Sequence, residues 1–312
     1  MLARSRKQRS TLNLRRLETE QSNPAAGDLD RKTALEFAQL INAEDAKIAG
    51  EVKKALPQVA RGIDMIANSL RSGGRLFYVG AGTSGRLGAL DASELPPTFG
   101  IPQSHAQFII AGGPKALSSE TEASEDSAEL GRKEMARRKP GKNDVVVGIA
   151  ASGRTPFAIG ALEFARSRGA KTIALTCNRN SPLERAAHLG IVVEVGPEVL
   201  AGSSRMKAGT AHKMVLNMLS TGAMARLGFI YKNLMVRVHP KNEKLKQRAI
   251  AILEQATKAT HADASKALVA SGNRTPVALV MLAAGVKRAA AVKALEQSGG
   301  HVRNAIARAA KD

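Results

Sequence analysis

The sequence predicts an α/β protein: a doubly wound parallel sheet flanked by helices, followed by a small C-terminal helical bundle. Three observations carry this reading. Short apolar runs alternate with helical stretches between about residues 75 and 228. Two of those runs pass straight into turns of Gly, Ser and Thr. Beyond about residue 243 only helical signals remain.

The elements follow in order. Between 32 and 72 apolar residues recur at three and four (Leu35, Phe37, Leu40, Ile41; Val59, Ile63, Ile66, Leu70), which predicts helices ended by Gly73-Gly74. Residues 75–80 read as a buried strand entering Gly80-Ala-Gly-Thr-Ser-Gly85. A helix over 87–94 is expected to stop at Pro96-Pro97. Strands are expected at 107–111, 144–150, 171–176 and 191–195. Residues 118–138 read as acidic loop and helix, and 156–169 as a helix after the turn Ala151-Ser-Gly-Arg-Thr155. A loop over 196–203 leads to a long helix over about 204–228. Asn242 and Asp263 are candidate N-caps, and Gly272, Gly285 and Gly299-Gly300 divide the tail into three or four short helices. The expected organisation is a basic extension (1–18), a main domain (19–247) and a helical subdomain (248–312).

Composition narrows the function. The 312 residues are 44% hydrophobic and 24% charged, so neither a disordered nor a collagen-like chain is expected. No apolar run reaches transmembrane length, so no membrane association is expected. One cysteine, Cys177, excludes a disulfide framework, and the six histidines never fall at ligand spacing on one helix face, so no metal is expected. The same cysteine count fits a reducing cytoplasm. A net charge of +20 attracts anions. Aromatics at 3% and no Trp give few stacking platforms, which argues against nucleic acid as the partner.

The two turns carry the chemistry. Each follows a buried strand and opens a helix, where backbone N–H groups and the helix dipole collect an anion. Thr83, Ser84, Ser152 and Thr155 can donate to phosphate oxygens. The string after the first strand matches GxGxxG, but no acid closes the second strand to hold a ribose, so a small phosphate ester fits better than a dinucleotide. A third loop presents Ser203, Ser204, Arg205 and Lys207 at the start of the long helix. Cations there oppose the dipole unless an anion or carboxylate sits close. Two acidic features remain. Glu94 lies just before Pro96-Pro97. Glu122, Glu125, Asp126 and Glu129 would share one face if helical, either as a solvated charge run or as a proton-transfer group.

Five segments then carry a family resemblance: TEQSNP (19–24), GAGTSGRLGALDASELPPTFG (80–100), DVVVGIAASGRTPF (144–157), LAGSSRMKAGTAHKMVLNMLSTGAM (200–224) and NLMVRVHPKNEKL (233–245). In this order, over nearly the whole chain from Leu17, they resemble the N-acetylmuramic acid 6-phosphate etherases of the sugar isomerase (SIS) superfamily. The resemblance implies cleavage of a D-lactyl ether by elimination and water addition, without metal or nucleotide cofactor, in a cytoplasmic homodimer that recycles cell-wall amino sugars. It implies Glu94 as the acid that protonates lactate and Glu125 as the base at C2, with Glu122 a rival for the base. It implies phosphate contacts from Thr83, Ser84, Ser152, Arg154 and Thr155, and sugar contacts from Ser203, Ser204 and Lys207. Leu95 stands where the family usually has Cys, and Ala123 where it has Gly. Two other readings share the phosphate turns: an aldose–ketose isomerase, which releases no lactate, and a non-catalytic sugar-phosphate regulator, which the pair Glu94 and Glu125 argues against.

Overall fold

The computed structural model describes residues 18–119, 124–240 and 242–311. The basic extension, apart from its last residue, and Glu122 lie outside them.

Five parallel strands form one sheet in the order β2-β1-β3-β4-β5: β1 (Leu76–Gly80), β2 (Ala106–Ile110), β3 (Val145–Ile149), β4 (Lys171–Thr176) and β5 (Leu189–Val192). Side chains alternate across a strand, and β1 shows the result. Leu76 and Tyr78 pack on one face with α2 (Ile48–Lys54), α3 (Leu56–Arg71) and α8 (Lys207–Arg226). Phe77 and Val79 pack on the other with α5 (Ala128–Arg137), α6 (Pro156–Ser167) and α7 (Pro182–Ala186). The sheet is therefore covered on both faces, as its continuous apolar strands require.

Helix α1 (Ala34–Asp45) opens with a capping box in which Thr33 and Glu36 exchange hydrogen bonds. It packs lightly on its own chain: Glu44 is buried, while Leu35 is 68% and Phe37 38% exposed.

Helix α4 (Gly82–Phe99) corrects one expectation. It does not stop at Pro96-Pro97 but includes both and ends at Gly100, whose left-handed backbone (φ 64°) lets its N–H reach Pro96 O. The prolines fall in the last turn, where they forgo only the rungs to the carbonyls of Ala92 and Ser93.

The acidic segment is a second correction. The helix starts only at Ala128, capped by the Ser127 hydroxyl, so Glu125 and Asp126 precede it and share no helix face with Glu129.

The tail holds α9 (Glu243–Thr257), α10 (His261–Ala270), α11 (Thr275–Ala284), α12 (Arg288–Gln297) and α13 (Val302–Ala309) around their own apolar core. That is five helices where three or four were expected, and Leu234, Val236 and Val238 join their core from ahead of α9. Asn242 caps α9 as expected. Thr260, not Asp263, caps α10; Asp263 sits at the third helical position and accepts the Thr260 hydroxyl.

Candidate active site

Strands β1 and β3 are neighbours, and their last residues, Gly80 and Ile149, stand side by side. Strand order reverses here, because β2 lies beyond β1 while β4 and β5 lie beyond β3. Ligands of open α/β sheets bind in the crevice at such a switch point. The two Gly/Ser/Thr turns leave the sheet into that crevice.

Thr83 and Ser84 lie in the first turn of α4, both half-buried, and no side chain caps that helix end. In the second turn Ser152 is half-buried and accepts the Arg154 N–H at 3.2 Å, which leaves its own proton free to donate. Arg154 is exposed. Thr176 Oγ1 and Asn178 Nδ2 both donate to the Ala151 carbonyl, fixing this turn from β4. Gly153 is required there: its φ is +65°, and a Cβ would fall 2.3 Å from Ser181.

Glu125 reaches the second turn. Thr155 Oγ1 donates to Glu125 Oε1 at 3.0 Å, and Phe157 N donates to Glu125 O at 3.0 Å. Close packing of α5 on α6 brings the acid there; a Cβ on Gly160 would lie 2.1 Å from Ala128 O.

The third loop abuts the first. Thr83 Cγ2 lies 3.7 Å from the position of a Cβ on Gly209, in the opening turn of α8. Ser203 and Ser204 are half-buried, and neither caps α8. The fully buried Glu198 does so, accepting from Lys207 N at 2.8 Å and Ala208 N at 3.0 Å. Burial raises its pKa, against the lowering effect of those two N–H groups.

Lys207, expected to contact the sugar, forms an ion pair within the chain. Its side chain is only 3% exposed, and its ammonium lies 2.7 Å from Glu44. Asn23, from the TEQSNP segment, donates to the same carboxylate at 3.0 Å and to Pro197 O at 3.2 Å. Burial alone would push the Glu44 carboxyl up, but hydrogen bonds from Lys207, Lys47 and Asn23 outweigh it and hold it at about 2. The cation that opposes the α8 dipole is thus neutralised inside the chain.

Glu94 stands apart. It is exposed and lies eleven residues beyond Thr83 on α4, roughly 16 Å along the axis. Eleven residues at 100° per residue return to nearly the same side, so Thr83, Leu87, Leu90 and Glu94 share a face of α4, with Leu90 42% exposed. Sequence reading missed Asp91 in the same motif. It is buried and accepts from Tyr78 at 2.7 Å and Ser220 at 3.1 Å, locking α4 to β1 and α8. Burial raises its pKa. The signal for it was a carboxylate among the apolar residues of the buried helix face. Among the described residues no cluster of three or more His, Cys, Asp or Glu could hold a metal.

The glucokinase regulatory protein N-terminal SIS domain model matches residues 58–166, and the SIS domain model matches 132–222. Full-length relatives are similar throughout. An N-acetylmuramic acid 6-phosphate etherase of Serratia proteamaculans is 47% identical over 95% of this chain and 100% of its own. One of Symbiobacterium thermophilum is 53% identical over 88% of this chain and 91% of its own. One of Streptomyces avermitilis is 48% identical over 95% of both chains.

Proposed function

This chain belongs to the N-acetylmuramic acid 6-phosphate etherase family, and we propose from that premise which of its side chains carry the reaction. It is a carbon–oxygen lyase that cleaves the D-lactyl ether of N-acetylmuramic acid 6-phosphate in peptidoglycan recycling, giving N-acetylglucosamine 6-phosphate and D-lactate.

An ether oxygen is a poor leaving group, so the sugar must first open to expose the C1 aldehyde, which acidifies the hydrogen on C2. Glu125 removes that proton. The electron pair forms the C2–C3 double bond, the C3–O bond breaks, and Glu94 protonates the departing lactyl oxygen. Water then adds to C3 of the unsaturated aldehyde while C2 regains a proton. Both steps are general acid–base chemistry of the kind two carboxylates perform. Thr83, Ser84, Ser152 and Arg154 hold the 6-phosphate, and Thr155 does so through its backbone N–H, since its hydroxyl serves Glu125. Ser203 and Ser204 face the sugar. Lys207 acts as a positioning residue that fixes their loop through Glu44 and Asn23. No step needs a metal or cofactor. The observation that carries this reading is the Glu125–Thr155 hydrogen bond, which puts a carboxylate on the phosphate turn.

A sugar phosphate held at Thr83 cannot span roughly 16 Å to Glu94 of its own chain. We therefore infer a homodimer in which two α4 helices pass antiparallel through Leu87 and Leu90, bringing each Glu94 beside the opposite Thr83. The exposed apolar residues of α1 and α4 support this arrangement. Among the described residues no helix is long and apolar enough to cross a membrane, and the single, buried cysteine, Cys177, suits the reducing cytoplasm in which we place the reaction.

The test is D-lactate release from N-acetylmuramic acid 6-phosphate by wild type, Glu94→Gln and Glu125→Gln. Lactate from wild type with both variants crippled is expected. Saturable sugar-phosphate binding without lactate would instead make the protein a regulator, and interconversion without lactate an isomerase.

A further inference from the structure

A basic cavity lined by none of the residues of the two Gly/Ser/Thr turns lies where the tail meets the end of α4. It measures about 430 Å³ and is lined by Gly100, Arg237, His239, Arg274, Thr275 and Gly300, among others. Its two arginines are held without partners of opposite charge. Arg237 stacks on Phe229, its guanidinium carbon 3.6 Å from the ring centroid. Its Nε is buried with no acceptor, and Nη2 makes only a long 3.5 Å contact to Gly300 O. Arg274 is exposed. Among the described residues neither guanidinium pairs with a carboxylate. Glu296 also lines the cavity, but it is exposed and bonds to neither. Burial, then the charge of Arg274, lowers the Arg237 pKa, so the two cations act on each other.

The backbone adds to this field. Arg274 is the N-cap residue of α11, and no side chain accepts from the first turn of that ten-residue helix. Two guanidiniums that line one cavity, with no carboxylate among the described residues bonded to either, call for an anion. Arginine forks match phosphate oxygens, and a phosphate monoester carries close to two negative charges at neutral pH. The volume suits a small metabolite.

We propose that this cavity is a second binding site, distinct from the active site, for a small phosphate-bearing anion clasped between Arg237 and Arg274 at the α11 N-terminus. The bound anion would join α11 and the α12–α13 turn to Gly100, the C-terminal cap of the helix that bears Glu94. The inference does not depend on the reaction assigned above.

Calorimetric titration of the full-length protein tests it, with inorganic phosphate and glucose 6-phosphate as separate probes. Wild type should bind one probe molecule per chain beyond the one in the active site. Arg274→Gln should weaken that added site roughly tenfold or more, while KM for N-acetylmuramic acid 6-phosphate stays within about twofold. Arg274 is exposed, so this variant keeps its fold; Arg237→Gln, which also loses the Phe229 stack, is the confirming variant. Tighter binding of the sugar phosphate than of phosphate identifies an ester as the ligand, and the reverse identifies the free ion. A single site per chain in wild type, or two sites undiminished in Arg274→Gln, overturns the proposal.

Discussion

The Thr155 hydroxyl donates to the Glu125 carboxylate across 3.0 Å, tying the second Gly/Ser/Thr turn to the residue we propose as base. The bond sets where the free Glu125 oxygen points. Thr155→Val keeps the shape and removes the donor, so kcat should fall roughly 100-fold, the low end for loss of a positioned general base. Thr155→Ser should retain most of the activity. A Val variant with wild-type lactate release would show that the hydroxyl does not orient the base.

The proposed sharing of each site between two subunits has a sharper test. Glu94→Gln and Glu125→Gln homodimers are each expected to be inactive. When they are mixed and allowed to exchange subunits, each heterodimer gains one intact site if Glu94 acts across the interface. Half the dimers would then carry half the normal sites, so about a quarter of wild-type activity should return. No recovery after verified exchange would place Glu94 and Glu125 of one site on the same chain.

The Lys207–Glu44 pair is buried, so removing one partner strands the other charge. Lys207→Ala should lose about 3–5 kcal/mol in urea unfolding, whereas replacing Lys207 by Met together with Glu44 by Gln should cost less. The pH dependence follows from Glu44, held at about 2 against an ordinary 4.5. Its contribution is present above pH 4.5 and is lost as pH falls towards 2. The stability gap between wild type and Glu44→Gln should therefore be full at pH 7 and narrow steadily below pH 4.5.

Asp91 has the opposite sign. Burial raises its pKa above the ordinary 3.8, so the folded state favours the neutral form. Its contribution is present below pH 3.8 and is lost as pH rises. Asp91→Asn should gain stability relative to wild type as pH climbs from 3 to 7. Asp91→Ala leaves the Tyr78 and Ser220 hydroxyls without their acceptor and should cost about 1–3 kcal/mol at pH 3, a cost that shrinks as pH rises by the same increment as the Asn variant gains. A pH-independent gap for the Asn variant would contradict the assignment.

The sheet and both Gly/Ser/Thr turns are legible because their signals are local: apolar runs of strand length followed by small residues where the backbone must turn sharply. The start of α8 was misplaced by three residues because its cap is Glu198, nine residues before Lys207 in the chain and outside any local pattern. The pairing of Lys207 with Glu44 is not legible in the sequence, since the two are 163 residues apart. Pro96 and Pro97 read as a stop, yet a last turn tolerates missing rungs. Glu94 and Glu125 were recognised through whole motifs; spacing alone could not show that one sits on the second turn while the other lies far along α4.

Helix α1 has a consequence for how the enzyme would behave on dilution. Twelve residues are marginal as an isolated helix in water, and this one buries little of its length against its own chain. If a second subunit covers Leu35 and Phe37, separation of the subunits leaves α1 close to melting. Glu44, at its C-terminal end, would release Lys207 and the loop that bears Ser203 and Ser204. Melting temperature and specific activity would then fall together as the enzyme is diluted below its dimer dissociation constant, so both would be properties of a concentration rather than of the chain.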